Sequence, residues 1–198
     1  MANLVPKVPA EQWIAEARQA LIEEGVEGVK VDRLANRIGV SRGGFYHHFI
    51  DRADLMQRLL ADWEDSVEFV PADLKVSNGA EALEAIRSLC EHLLAEKGYD
   101  PRFDMAVRAW AQADAAVDKA VRRSDQRRIA AIKRIFDAMG CGEDEASIRA
   151  KVFYFHQIGY YAIGPKETRR ERRSQVNTYV SILCGEENLE RARREAAG

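Results

Sequence analysis

The stretch Val31-Asp32-Arg33-Leu34-Ala35-Asn36-Arg37-Ile38-Gly39-Val40-Ser41-Arg42-Gly43-Gly44-Phe45-Tyr46 decides how this chain is read. Val31 to Ile38 has the pattern of a short helix, Gly39 breaks it, and Ser41 is placed to cap a second short helix running to about Phe49. Two short helices joined by a three- or four-residue turn containing glycine read as a helix-turn-helix, a motif whose second helix enters the DNA major groove. The residue types fit its sterics. Ala35 is small where the second helix crosses close above it, Gly39 can adopt the left-handed turn, and Leu34, Ile38, Val40 and Phe45 fill the space between. Gly43 and Gly44 each cost about 1 kcal/mol against alanine in a helix interior. They make sense where backbone approaches DNA, with amides near the helix N-terminus facing a phosphate.

Charge is concentrated in the same place. From Lys30 to Arg52, five cations (Lys30, Arg33, Arg37, Arg42, Arg52) stand against Asp32 and Asp51, a net of +3 before His47 and His48 are considered. The whole chain carries 30 basic and 32 acidic residues with a pI near 6.1, so positive charge meant for nucleic acid must be local. Cations here would displace condensed counterions from phosphates, giving affinity that falls as salt rises. His47 and His48 are adjacent, so on a helix they point about 100° apart and are not spaced to share a metal.

Outward from this motif, almost every segment repeats at the helical period and none alternates like a half-buried strand, which predicts an all-α fold. Helices are expected over Pro9 to Glu24, Val31 to Ile38, Ser41 to Phe49, Arg52 to just before Pro71, Ala80 to Lys97, Arg102 to Ala113, Ala115 to Met139, Glu143 to Ile163 and Thr168 to Leu183. A charged tail, Glu187 to Ala197, reads as a short exposed helix. Pro71 to Gly79, with Asp73, Ser77 and Asn78, reads as a loop. It sets a boundary between a DNA-binding domain, residues 1–70 with its motif at about 31–49, and a second domain, residues 71–198.

At 198 residues the chain has room for one or two domains, and 46% hydrophobic with 31% charged residues places it among globular rather than disordered chains. No apolar run approaches the roughly 20 residues needed to cross a bilayer, and the N-terminal sequence lacks a secretory pattern, so a cytoplasmic protein without a membrane partner is expected. Cys90, Cys141 and Cys184 form no CxxC pair, and three cysteines cannot close a disulfide framework. No phosphate-binding glycine loop, Gly-x-Ser-x-Gly elbow or metal-spaced His/Glu pair occurs, so neither an enzyme nor a cofactor or metal site is expected.

The residues from Ile14 to Leu55 resemble the N-terminal domain of the tetracycline-repressor (TetR) family. The resemblance rests on Ala17, Leu21, Gly25, Leu34-Ala35, Gly39-Val40-Ser41, Phe45-Tyr46-His47-His48-Phe49, Arg52 and Asp54-Leu55. It implies a homodimeric regulator, a ligand-responsive repressor, that binds a double-stranded, pseudo-palindromic operator through this domain and a small-molecule effector through the other. Carried over by motif position, Ser41, Arg42, Gly43 and Gly44 meet the major groove, Tyr46 and His47 grip phosphate and nearby bases, and Arg52 replaces a basic residue, usually lysine, that starts the next helix. Two positions depart from the family. Lys30 stands where threonine commonly caps a helix and contacts phosphate, and Gly44 stands where threonine or serine is frequent. Lys30 can still reach a phosphate. Gly44 offers no side chain to read a base, which makes Arg42 the leading reader, with guanine the expected target of its fork.

By the same resemblance, Phe103, Trp110, Phe155, His156 and Tyr160 sit on helices that surround the family's pocket, with His92, Arg108 and Gln157 supplying polarity, which suits a largely apolar effector. The helices at about 143–163 and 168–183 are those that build the family's dimer bundle, where Gly159 and Ala162 would let backbones approach. The basic run Arg122, Arg123, Arg127, Arg128, Lys133 and Arg134 reads as a solvated helix face. The alternative to a regulator is a helical protein-interaction module whose helix-turn-helix is only structural.

Overall fold

The computed structural model describes residues 8–67, 69–71, 74–96 and 98–197; Asp73 and the expected helix end Lys97 lie outside them. The described residues are helical without a strand. Two compact units divide the chain: Met1–Val67 with Pro101–Val121, and Glu68–Asp100 with Arg122–Gly198. The first unit is therefore discontinuous along the chain.

In the first unit, α1 (Ala10–Glu24) buries Trp13, Ala17, Ala20 and Leu21, a stripe at helical spacing. A 3-10 turn, Val26–Gly28, follows, where Gly28 passes so close to α1 that an added Cβ would lie 2.5 Å from Glu24 Cβ. Helix α2 (Val31–Ile38) buries Leu34 and Ala35 and ends at Gly39, whose φ is +79°. Gly39 N–H donates to Asn36 O at 3.2 Å and Val40 N–H to Ala35 O at 3.0 Å, the paired bonds of a Schellman C-cap.

The second helix of the motif is not an α-helix. Arg42–His47 is 3-10, and Ser41 makes no side-chain capping bond. Gly44 N–H reaches back three residues to Ser41 O, and His48 N–H three residues to Phe45 O, each at 3.0 Å. Two successive glycines remove the propensity that would hold a wider α turn. Aromatic packing holds the segment instead: Phe45 meets the Trp13 ring edge-on at 5.4 Å and stacks on Phe49 at 5.0 Å.

Helix α3 (Arg52–Ser66) starts on Asp51, whose carboxylate accepts from Asp54 N–H at 2.9 Å. It stops before the expected end near Pro71. Val67, Phe69 and Val70 are all buried, which one face of a continuing helix could not achieve. Trp63 of α3 donates its indole N–H to Asp104 of α5 (Pro101–Ala111) at 3.0 Å; Asp104 is fully buried and also pairs with Arg108 at 3.2 Å.

Helix α6 (Ala115–Ala138) begins in the first unit and continues into the second. The second unit also holds α4 (Gly79–Ala95), α7 (Glu143–Ile163), α8 (Arg169–Cys184) and α9 (Glu186–Ala197). Helix α8 opens with a capping box in which Thr168 and Glu171 bond reciprocally. Two expectations change in this unit. Arg128 is not on a solvated face: it is fully buried, donates to the Tyr154 hydroxyl at 3.2 Å and lies over the Phe69 ring. A planar guanidinium tolerates burial when it is stacked and hydrogen-bonded. The charged tail is not exposed either, since α9 buries Asn188, Leu189 and Ala192, and Glu195 accepts from Gly79 N–H at the start of α4.

Candidate nucleic-acid interface

The local fold presents one side of the 3-10 segment to solvent. Phe45 is fully buried while its neighbours Arg42, Gly43, Tyr46 and His47 are exposed, as are Lys30, Ser41 and Arg52; Gly44 is half-buried. The sequence-predicted residues from Ser41 to His47 therefore share a surface anchored from below by the Trp13, Phe45 and Phe49 rings. A Cβ added at Gly44 would come no closer than 3.7 Å to Trp13, and one at Gly43 no closer than 3.6 Å to Ser41 Oγ, so neither glycine is demanded by packing within the chain.

Arg42 is already engaged. Its Nη2 donates to the Tyr46 hydroxyl at 3.0 Å, its guanidinium lies 5.8 Å from the Tyr46 ring centroid, and Nη1 is 3.5 Å from Asp32. The hydrogen bond to Tyr46, and then the charge of Asp32, raise its pKa above the ordinary arginine value. Arg42 is thus held fully cationic and oriented on the exposed side of the segment.

Arg52 behaves differently from a simple surface cation. Its Nε donates to Val29 O at 2.6 Å and Nη2 to Val26 O at 2.8 Å, clamping the loop that precedes α2 onto the start of α3. Arg33 and Arg37 also lose freedom, because Arg33 pairs with Glu24, and Arg37 with Glu23 at 3.1 Å and with Glu24 at 2.6 Å. The +3 of the segment is consequently offset by two carboxylates from the end of α1. Arg42 is paired as well, with Asp32, so positive charge at this surface is smaller than composition implies. His48 does not share the surface with His47: its Nε2 lies 2.7 Å from Val8 O.

In the second unit a cavity of about 490 Å³ opens between α4, α7 and α8, within the size range of small-molecule sites. His156 and Tyr160 line it; the other three residues expected with them do not. Phe103 and Trp110 belong to α5 of the first unit, Phe103 fully buried beneath the Arg18 guanidinium, and Phe155 points outward, 59% exposed. Gln157 does line the cavity, beside Cys90, Arg172 and Tyr179. Burial, and then the Arg172 charge, push the His156 pKa down, and burial raises the Cys90 thiol to about 12, so at neutral pH His156 is an uncharged ring and Cys90 an unreactive thiol. Among the described residues no cluster of His, Cys, Asp or Glu could hold a metal, and no helix is long and apolar enough to cross a membrane.

Residues 14–59, the stretch that contains the whole anchored surface, match the model for bacterial regulatory proteins of the tetR family. The match covers the helix-turn-helix stretch, residues 14–59 of 198, and over those residues the chain is similar to that family. The transcriptional repressor AcnR of Corynebacterium diphtheriae is 36% identical over 92 residues, 46% of this chain and 45% of that protein. The chain thus aligns with less than half of that curated relative. Whole-chain likeness is structural. A TetR-family regulator from Marinobacter aquaeolei VT8 matches with TM-score 0.67 at 18% identity, covering 94% of this chain and 96% of that one. AibR, solved with isovaleryl coenzyme A and operator DNA, matches with TM-score 0.64 at 14% identity, covering 88% and 97%. At such identities these neighbours show a shared fold.

Sequence reading missed the Arg52 clamp and the Arg42–Asp32 pair. The second had a visible signal, since Asp32 is a carboxylate inside a cationic stretch. The first had none, because its acceptors are backbone carbonyls 23 and 26 residues away.

Proposed function

We propose that this chain is a sequence-specific DNA-binding transcriptional regulator, a ligand-responsive repressor that acts as a homodimer on a pseudo-palindromic operator. The observation that carries the reading is the exposed 3-10 surface with Arg42 held toward solvent by Tyr46 and Asp32. Lys30, Ser41, Gly43, Gly44, Tyr46, His47 and Arg52 surround or support it. Direct readout falls to Arg42, whose fork suits guanine O6 and N7, while the other side chains and the segment's amides meet phosphates. AcnR is named a repressor, and AibR was solved with an acyl-coenzyme A and operator DNA, which agrees with this reading.

Self-association is supported by a stripe along α7. Ile148, Val152, Phe155 and Ile163 are 53–83% exposed, and Ile182 of α8 is 77% exposed. Burying such a stripe against its copy is the economical fate of an exposed apolar face. The cavity lined by His156 and Tyr160 is the proposed effector site. An effector that binds best to a state with wrongly spaced recognition segments would weaken DNA binding, and DNA would weaken effector binding to the same degree.

The test is binding of the full chain to the intergenic DNA upstream of its own gene against a scrambled duplex at moderate salt. Preference for the native duplex supports the regulator. Equal binding, or none, favours a protein-interaction module with a structural helix-turn-helix. Phe155→Asp combined with Val152→Asp should shift the sedimentation coefficient to that of a monomer; an unchanged dimer would place the interface elsewhere.

A further inference from the structure

The effector cavity carries more chemical information than an apolar lining. Leu93, Leu94 and Val176 make it greasy, yet the Arg172 side chain, only 13% exposed, also lines it. Its guanidinium lies 4.1 Å from the centroid of the Tyr160 ring and 5.6 Å from that of Tyr161. The carboxylate paired with it is Glu96 at 3.8 Å, too far for a charge-assisted hydrogen bond and half-exposed on its own side. The Tyr179 hydroxyl is buried in the same lining beside Gln157, and its ring lies 4.8 Å from that of His156.

We infer that this cavity selects a small organic acid, an apolar body bearing one carboxylate, which Arg172 receives. The inference rests on the cavity being the effector site and names the chemistry of what enters it. A carboxylate can take two parallel N–H donors from a guanidinium, a better partner than the distant Glu96. A cationic ligand is disfavoured for a stated reason: the Tyr160 face that would cradle it is already covered by Arg172, whose like charge repels it. Glu167 also reaches the lining but is exposed, so its charge is screened, whereas Arg172 is largely withdrawn from water. His156, neutral because burial and Arg172 disfavour its charged form, adds no competing cation and offers an aromatic wall.

Two matched sets of probes test this by calorimetry on the full chain without DNA: octanoate, octanamide and octylamine, and 4-phenylbutyrate with its amide and amine. At least one acid should bind saturably, about tenfold or more tighter than its amide, with the amine weakest. Arg172→Gln should bring the acid down to the level of the amide, and Arg172→Lys should restore part of the difference. Retained amide binding and an unchanged circular dichroism spectrum show that the variants fold. Failure of both acids to bind, an amine that binds tightest, or an acid-to-amide ratio unaltered by Arg172→Gln would overturn the inference. Titrating the upstream duplex in parallel separates the two readings: duplex binding without acid selection removes only the ligand class, and acid selection without duplex binding removes only the regulator.

Discussion

The Arg42 guanidinium donates to the Tyr46 hydroxyl one helical step away, at 3.0 Å from Nη2 and 3.3 Å from Nε, so the proposed base reader is positioned before any DNA arrives. Asp32, 3.5 Å away, holds the same group with a pair that is 58% and 69% exposed on its two sides. Exposed pairs of this kind are weak, so Asp32 can yield Arg42 to a base edge while still discouraging loose contact with phosphate.

Removing Asp32 should therefore change selectivity more than affinity. Asp32→Asn is expected to raise binding to a scrambled duplex several-fold and the upstream duplex by less, narrowing the ratio between them, as read by fluorescence anisotropy at two salt concentrations. Arg42→Ala should lose about tenfold or more at one base position. Equal gains on both duplexes for Asp32→Asn would show that the carboxylate acts only through net charge.

Arg52 supports a prediction on stability. A cation that only met phosphate would leave the free protein untouched when removed, whereas this one donates to Val29 O and Val26 O. Hydrogen bonds from a charged donor contribute about 1.5–3 kcal/mol when enclosed and less at an exposed site. Arg52→Ala should lower the urea unfolding free energy by about 1 kcal/mol in the absence of DNA. A variant with wild-type stability and a shallower salt dependence of DNA binding would return Arg52 to a purely electrostatic role.

The motif's three neighbouring glycines should respond differently to alanine. Gly39 has a φ of +79°, which a Cβ disfavours by about 1 kcal/mol or more, so Gly39→Ala should destabilise the protein. Neither Gly43 nor Gly44 has positive φ, and both have space for a methyl group. Gly43→Ala and Gly44→Ala should leave thermal stability unchanged or raise it by about 0.5 kcal/mol. If they weaken DNA binding nonetheless, the loss measures how closely the backbone approaches the duplex; full binding by both would mean that the groove does not need bare backbone there.

These contrasts mark where the sequence was informative. Ala35, Gly39 and Phe45 are local constraints, each placed by its immediate neighbours, and the turn they describe is present down to its two C-capping bonds. The geometry of Arg42–His47 as a 3-10 segment was less visible, because helix propensity alone does not choose between hydrogen-bonding patterns once glycine has weakened both. Long-range pairing was invisible. Glu23 and Glu24 neutralise Arg37 and Arg33 across the turn that follows α1, and Tyr154 receives Arg128 from a different helix, so counting charges along the chain overstated one cationic surface and placed Arg128 wrongly on a helix face whose Arg122, Arg123, Arg127 and Arg134 are exposed as expected. For the cavity, the resemblance singled out His156 and Tyr160, but nothing local separated them from Phe103 and Trp110, which the fold assigns to the other unit.

His156 offers a reading of the cavity that needs neither DNA nor ligand. Burial first, and Arg172 second, hold its pKa below the ordinary value of 6.5, with exposed Glu167 opposing them. The folded state therefore resists the proton that the unfolded chain accepts. Stability linked to this group is complete above about pH 6.5 and declines as pH falls from there through the lower folded pKa. His156→Gln should flatten that decline, seen as a smaller change in melting temperature between pH 7 and pH 5. In a nuclear magnetic resonance titration of the four histidines, the His156 ring should titrate below 6.5. Arg172→Gln should move that midpoint upward without bringing it to 6.5, because burial remains when the charge is gone. A His156 midpoint at or above 6.5 in the wild-type chain would mean that the cavity is wetter, or Arg172 farther off, than the packing of α7 against α8 implies.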